Sequence, residues 1–287
     1  MKHFRNAMAA MLGACVFASS MALAGGLSTF QLPPHAGVQN PIVEGEMWEI
    51  LRGDVVDDHV VLQDGENLLS LDAPISAFDS ATVPFSISQR PGTDRITKMT
   101  VVVDENPMPV VGVFTFGPLM GELNLESRVR FDVYSNLRVI AETETGESFM
   151  AGRFVQAAGG CSAAVTRDID VALSTMGKMK LRHLNINESP QQSTKVEQVQ
   201  LMIRHPMFTG MQVHKGTFDH IDPRFVEDLK VWLGEDMLFH MEGGFSISED
   251  PSFRFSYINN GAQVMRVRAV DTDGAVFEHS FPINQGS

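Results

Sequence analysis

The chain has 287 residues, with 22 Lys and Arg against 35 Asp and Glu, for a formal net charge of −13. That length can bury a core without disulfide or metal staples, and an apolar content of 44% excludes a disordered or low-complexity chain. The acidic balance argues against nucleic acid or an anionic membrane surface as a partner, and two cysteines exclude a disulfide scaffold or a multi-cysteine zinc module.

Lys2 and Arg5 precede an uncharged, Ala-rich run over 7–24 that ends Ala22-Leu23-Ala24. A basic start, an apolar middle and a small-x-small end make residues 1–24 a secretory signal peptide, cleaved after Ala24. The run is short and rich in Ala, Gly and Ser, which partition weakly into a bilayer, so a cleaved signal fits better than a retained anchor. Leu12-Gly13-Ala14-Cys15 loosely resembles a lipoprotein cleavage box, but the apolar run continues beyond Cys15. The expected mature protein is exported, with no membrane association. Loss of Lys2, Arg5 and Cys15 leaves 20 basic residues against 35 acidic, and Cys161 as a solitary thiol in an oxidising compartment.

A short helix is predicted over 44–52, with Met47, Trp48 and Leu51, and Ala73-Pro74-Ile75 marks an extended passage. Alternation then takes over: Val83, Phe85 and Ile87 share one face before the turn Arg90-Pro91-Gly92. Further strands are predicted over 96–104, 110–116, 129–134, 137–144 and 149–155, each rich in β-branched or aromatic residues and bounded by turn formers. Short strands at this spacing predict a β-sandwich. The first domain is set at 25–165.

From Cys161 to about residue 195 the alternation lapses. A helix is predicted over 168–182, with Ile169, Leu173 and Met176 on one side, and Ser189-Pro190-Gln191-Gln192-Ser193 reads as a linker end. The linker is set at 166–194, partly helical. Alternation resumes with Val199, Leu201 and Ile203 and breaks at Arg204-His205-Pro206. Runs over 229–233 and 237–241 flank Gly234-Glu235-Asp236, and runs over 264–270 and 276–282 flank Asp271-Thr272-Asp273-Gly274, both hairpin signals. Phe253, Phe255 and Tyr257 alternate between them. Residues 195–287 are a second domain, so the expected fold is all-β: two immunoglobulin-like β-sandwich domains joined by a linker.

Chemistry concentrates in Ala157-Ala158-Gly159-Gly160-Cys161-Ser162-Ala163-Ala164. Paired glycines remove side-chain bulk and permit positive φ, and Ser162 and the alanines add little. Gly159, Gly160 and Ser162 therefore read as a flexible, slender arm that carries Cys161 into a narrow cleft of a partner. The alternative is a small buried turn with an inert cysteine, since free cysteine is among the most buried residue types. No acid, base or histidine lies within five residues of Cys161, which favours a carried group over self-contained catalysis.

The run Ser148-Phe149-Met150 through Phe154-Val155-Gln156-Ala157-Ala158-Gly159-Gly160-Cys161 resembles the end of SoxY, the sulfur-carrier subunit of thiosulfate oxidation. Val101-Val102-Val103-Asp104-Glu105-Asn106-Pro107, followed by Phe114-Thr115-Phe116, is similar to the Asn-Pro segment of that family. Leu201-Met202-Ile203-Arg204-His205-Pro206-Met207-Phe208-Thr209-Gly210 resembles the His-Pro-Met-x-Thr-Gly entry of SoxZ, its partner, and Asp222-Pro223-Arg224-Phe225 and Asp250-Pro251-Ser252-Phe253-Arg254-Phe255 fit later SoxZ positions. The order is that of a fused SoxYZ-like carrier associated with quinoprotein dehydrogenases. The resemblance implies a periplasmic carrier of immunoglobulin-like domains that pair with each other. It implies Cys161 as the covalent attachment site and Sox-type or quinoprotein and cytochrome oxidoreductases as partners. In that family the arm ends the chain as Gly-Gly-Cys-Gly-Gly. Here Ser162 and Ala163 replace the trailing glycines and more than a hundred residues follow. A loop tethered at both ends over 157–164 projects Cys161 by roughly 13 Å at most.

No cofactor and no metal set is read from the remaining residues. His183, His205, His214, His220, His240 and His279 have no tight paired spacing, and Asp271-Thr272-Asp273-Gly274 lacks the rest of a calcium loop. Three readings stand: a covalent carrier, a non-covalent accessory module of a periplasmic quinoprotein (PQQ) dehydrogenase system, and a cysteine enzyme with a histidine brought from the second domain. They differ in whether Cys161 is exposed, dispensable or placed beside a histidine.

Overall fold

The computed structural model describes residues 40–184, 196–214 and 216–283; the expected signal over 1–24 and the linker end at Ser189–Ser193 lie outside them. The first half contributes helix α1 (Glu46–Val55) and strands β1 (Leu62–Asp64), β2 (Leu69–Asp72), β3 (Val83–Gln89), β4 (Ile96–Val103), β5 (Val110–Phe116), β6 (Asn124–Val129), β7 (Ser135–Thr143) and β8 (Ser148–Val155). Helix α2 (Ile169–Thr175) follows. The second half contributes β9 (Met179–Leu184), β10 (Val196–Ile203), β11 (Val226–Leu233), β12 (Asp236–Gly243), β13 (Ser252–Ile258), β14 (Val264–Asp271) and β15 (Val276–Pro282).

The strands form two sheets, and each sheet crosses from one half to the other. The larger runs β1-β8-β7-β4-β5-β12-β11-β14-β15, the smaller β2-β3-β6-β13-β10-β9. The two sandwiches are therefore joined edge to edge: β5 pairs antiparallel with β12, Phe114 opposite Met241, and β6 pairs with β13, Leu125 opposite Phe255. Edge strands are open hydrogen-bonding templates, and here each half satisfies the other's.

Period-2 alternation sets what lies between the sheets. Val83, Phe85 and Ile87 of β3 and Phe253, Phe255 and Tyr257 of β13 are buried while their neighbours reach outward. One apolar core spans both halves, with Phe114 edge-on to Phe253 at 6.3 Å and Phe239 edge-on to Phe255 at 5.2 Å. Strand β4 is buried along most of its length because α1 covers its other face, packing Trp48 and Val56 against Val102 and Ile140.

Two expectations need correcting. The helix predicted over 168–182 stops at Thr175, because Gly177 takes φ +79 and packs its backbone against Phe277. The chain from Met179 then pairs with β10, Leu181 opposite Leu201, so part of the expected linker is a strand of the second sandwich. The strand predicted over 129–134 lies earlier, at Asn124–Val129; residues 130–134 instead turn to meet the cysteine segment.

Candidate functional site

Three stretches far apart in sequence converge where the halves meet: residues 104–108 after β4, residues 157–164 after β8, and residues 205–212 after β10. Their meeting is arranged around the turn that follows β6. The Arg130 N–H donates to the Ser246 carbonyl (2.7 Å), and the Asn106 side chain donates to the Arg130 carbonyl (2.7 Å) and to Ser246 Oγ (3.0 Å). Asn106 Oδ1 accepts from the Asp132 N–H (2.9 Å), so one buried amide fixes the turn on both sides.

The cysteine segment lies along this turn. Gly159 N–H donates to the Asp132 carbonyl (2.7 Å) and Gly160 N–H to the Phe131 carbonyl (2.8 Å). Gly159 has φ +82, and a Cβ on Gly160 would sit 2.1 Å from the Ser80 carbonyl oxygen. The Gly160 carbonyl accepts from Arg130 Nη1 (3.0 Å), and the Cys161 carbonyl accepts from Thr209 Oγ1 (2.6 Å), a side chain of the second half. Thr209 is itself held by Gln212, whose Oε1 accepts from the Thr209 N–H (2.8 Å).

Cys161 is fully buried, and Gly160 is buried with it; Ser162 is exposed. Gly159 is exposed as well, so it is the burial of Gly160 and Cys161 that differs from the slender exposed arm expected of Gly159, Gly160 and Ser162. Gly160 lets the backbone pass between Ser80 and Phe131, while Gly159, with open space where a Cβ would be, supplies the positive φ; these are conformational demands that glycines meet as well as they meet a demand for mobility. Burial pushes the thiol pKa up to about 12, with the Asp132 carboxylate adding to the shift and the Arg130 guanidinium opposing it. A protonated thiol is a poor nucleophile, so the side chain is quiescent while the segment stays in place. Arg130 is buried too; burial pulls its pKa down against the attraction of Cys161, Glu249 and Asp79.

His205 does not join Cys161. Its Nδ1 accepts from the Met207 N–H (3.1 Å) and its Nε2 faces Asp271 (3.4 Å). Burial lowers its pKa to about 4, outweighing the Asp271 carboxylate. Burial would raise the Asp271 pKa, but hydrogen bonds from Arg224 and the Ala275 N–H bring it below the usual carboxylate range. The group shapes the start of the loop that follows β10, and both His205 ring nitrogens are engaged there rather than with the thiol. His183, His220, His240 and His279 lie elsewhere, and among the described residues no three metal-ligating side chains converge.

Arg130 and Thr209 are the residues that sequence reasoning missed as parts of this site. Arg130 stands between Val129 and Phe131, both buried, so simple alternation points it to solvent; only the turn after β6 redirects it. Thr209 lies within the His-Pro-Met-Phe-Thr-Gly run, but its hydroxyl's target is 48 residues away.

Comparison with curated proteins yields no match. Comparison with protein families gives two matches: residues 55–161 match sulfur oxidation protein SoxY, ending on Cys161 itself, and residues 186–282 match sulphur oxidation protein SoxZ. The chain thus carries a SoxY domain followed by a SoxZ domain and is a fused SoxYZ-like protein.

Proposed function

We propose that this protein is a periplasmic carrier that holds a sulfur-containing intermediate covalently on Cys161 and presents it to Sox-type or quinoprotein and cytochrome oxidoreductases. One observation carries the reading: the Gly-Gly-Cys segment of the SoxY half is clasped by the His-Pro-Met-Phe-Thr-Gly segment of the SoxZ half, through the 2.6 Å bond from Thr209 to the Cys161 carbonyl. The cysteine is stored protonated at the junction, and loading begins when the segment leaves it. Joining the thiol to thiosulfate forms one S–S bond and releases one proton and two electrons. The two electrons pass to a partner oxidoreductase, which is why the carrier needs one.

A second reading has its own support. Full burial of Cys161 and its anchoring on both sides also suit a non-covalent accessory module of a quinoprotein dehydrogenase system, in which the cysteine is only structural. Add-back to a periplasmic extract lacking the chain separates the two, with thiosulfate-dependent cytochrome reduction as the readout. The carrier reading expects rescue by the wild-type chain and none by Cys161→Ser. Equal rescue by both would overturn it in favour of the accessory module.

A further inference from the structure

The outward face of the smaller sheet bears a groove of about 1260 Å³ that runs across both halves. Its floor is made by the outward positions of β3, β6, β13 and β10, including Pro84, Ser86, Gln200 and Met202, and its wall by residues 166–167, Thr175 and the start of β9. Apolar Ala73, Pro74 and Met179 line its margin.

Charge in this groove is inverted relative to the chain. Arg128, Arg167, Lys178, Lys180, Arg204 and Arg254 line it against Asp72, Glu126, Glu249 and Asp250, six cations to four carboxylates, in a protein of net −13. Internal pairing consumes part of that charge: Arg167 meets Asp250 at 2.7 Å and Glu249 at 3.5 Å, Arg204 pairs with Asp250, and Arg254 meets Glu126 at 3.1 Å. Arg128 donates to the Asp250 carbonyl rather than to a carboxylate (3.0 Å). Among the described residues Lys178 and Lys180 form no ion pair and both are exposed, while Nε of Arg128, Arg167 and Arg254 has no acceptor. A groove with an excess of cations on an acidic protein focuses the local field and selects anionic partners.

We propose that this groove is a docking site for an extended acidic peptide segment of a partner protein. Cations spread from β6 to β9 over a partly apolar floor match a chain of carboxylates interleaved with small apolar side chains, and the volume far exceeds that of one oxyanion. The wall residues Thr166 and Arg167 lie just downstream of Cys161, and Glu249, which accepts from the Thr166 N–H at 2.8 Å, also acts on Arg130. A partner seated here stands beside the cysteine segment. The inference deepens the carrier reading by giving the chemistry of the partner's contact, but the binding itself needs no thiol.

The test uses the full chain carrying Cys161→Ser, so that peptide binding is read apart from sulfur chemistry. Fluorescence anisotropy with a labelled peptide of alternating Glu and Ala is compared with its Gln and Ala counterpart. The Glu peptide is expected to bind, to weaken as salt rises, and to lose about tenfold in affinity on Lys178→Glu with Lys180→Glu. Those lysines are exposed and unpaired, so the double variant keeps its fold, checked by its unchanged unfolding midpoint. Equal binding of the Glu and Gln peptides, or of the two proteins, would overturn the proposal. So would full displacement by inorganic sulfate where chloride of equal ionic strength has no effect, which would mark a small-anion site instead.

Discussion

Cys161 owes its chemical state to its surroundings. A thiol pushed from 9.0 to about 12 favours the protonated form in the fold, while the unfolded chain ionises earlier. Its contribution to stability is therefore complete below about pH 9 and is lost as the pH rises toward 12. The gap between the urea midpoints of the wild type and Cys161→Ala should narrow across that window, with the wild type falling faster; parallel curves would show that the thiol does not titrate in the fold. His205 gives the opposite limb: held near pKa 4 and neutral, it withdraws stability as the pH falls from about 6.5 to about 4. The Thr209 hydroxyl is the residue-scale clasp. Thr209→Val removes the bond to the Cys161 carbonyl while keeping most of the volume, at a cost of about 1 kcal/mol. Maleimide labelling of Cys161 under native conditions should then accelerate about fivefold, as a local opening equilibrium shifts by that amount; an unchanged rate would show that Thr209 does not gate access.

At the scale of elements, the segment over 157–164 behaves as an added stretch of structure on the turn after β6. Gly160→Ala places a Cβ against the Ser80 and Phe131 carbonyl oxygens, at 2.1 and 2.8 Å, so the segment cannot seat. The expected result is a fold intact by circular dichroism, with Cys161 labelled at the rate of an exposed thiol. The strands that pack this region were legible in the sequence where alternation was strong, as at Val83, Phe85 and Ile87 or Phe253, Phe255 and Tyr257. Strand β9 was not, because only Met179 and Leu181 of its six residues pack against the core, and neither is fully buried. The site was half legible. The unusual composition of Gly159-Gly160-Cys161 marked the right residues, but paired glycines answer equally to mobility and to tight passage. The atoms that decide between these, on Ser80, Arg130 and Thr209, come from distant parts of the chain.

For the whole molecule, continuity of both sheets makes the halves one cooperative unit. Phe114 of the first half packs edge-on to Phe253 and tilted against Phe239 of the second, and Gly117 passes so close to the Met237 carbonyl that a Cβ would lie 1.8 Å from it. Calorimetry should show a single unfolding transition rather than one per domain, and Phe239→Ala should lower it as a whole, costing about 3–5 kcal/mol. This union suits the proposed carrier role of a cysteine in mid-chain: the SoxZ half that clasps Cys161 is held beside it by the sheets and by the chain itself. The central claim is that Cys161 leaves this clasp to carry sulfur, and intact mass spectrometry tests it most directly. Natively purified wild-type protein is predicted to carry a reductant-labile adduct on Cys161 that Cys161→Ser lacks; an unmodified thiol throughout sulfur turnover would contradict the account.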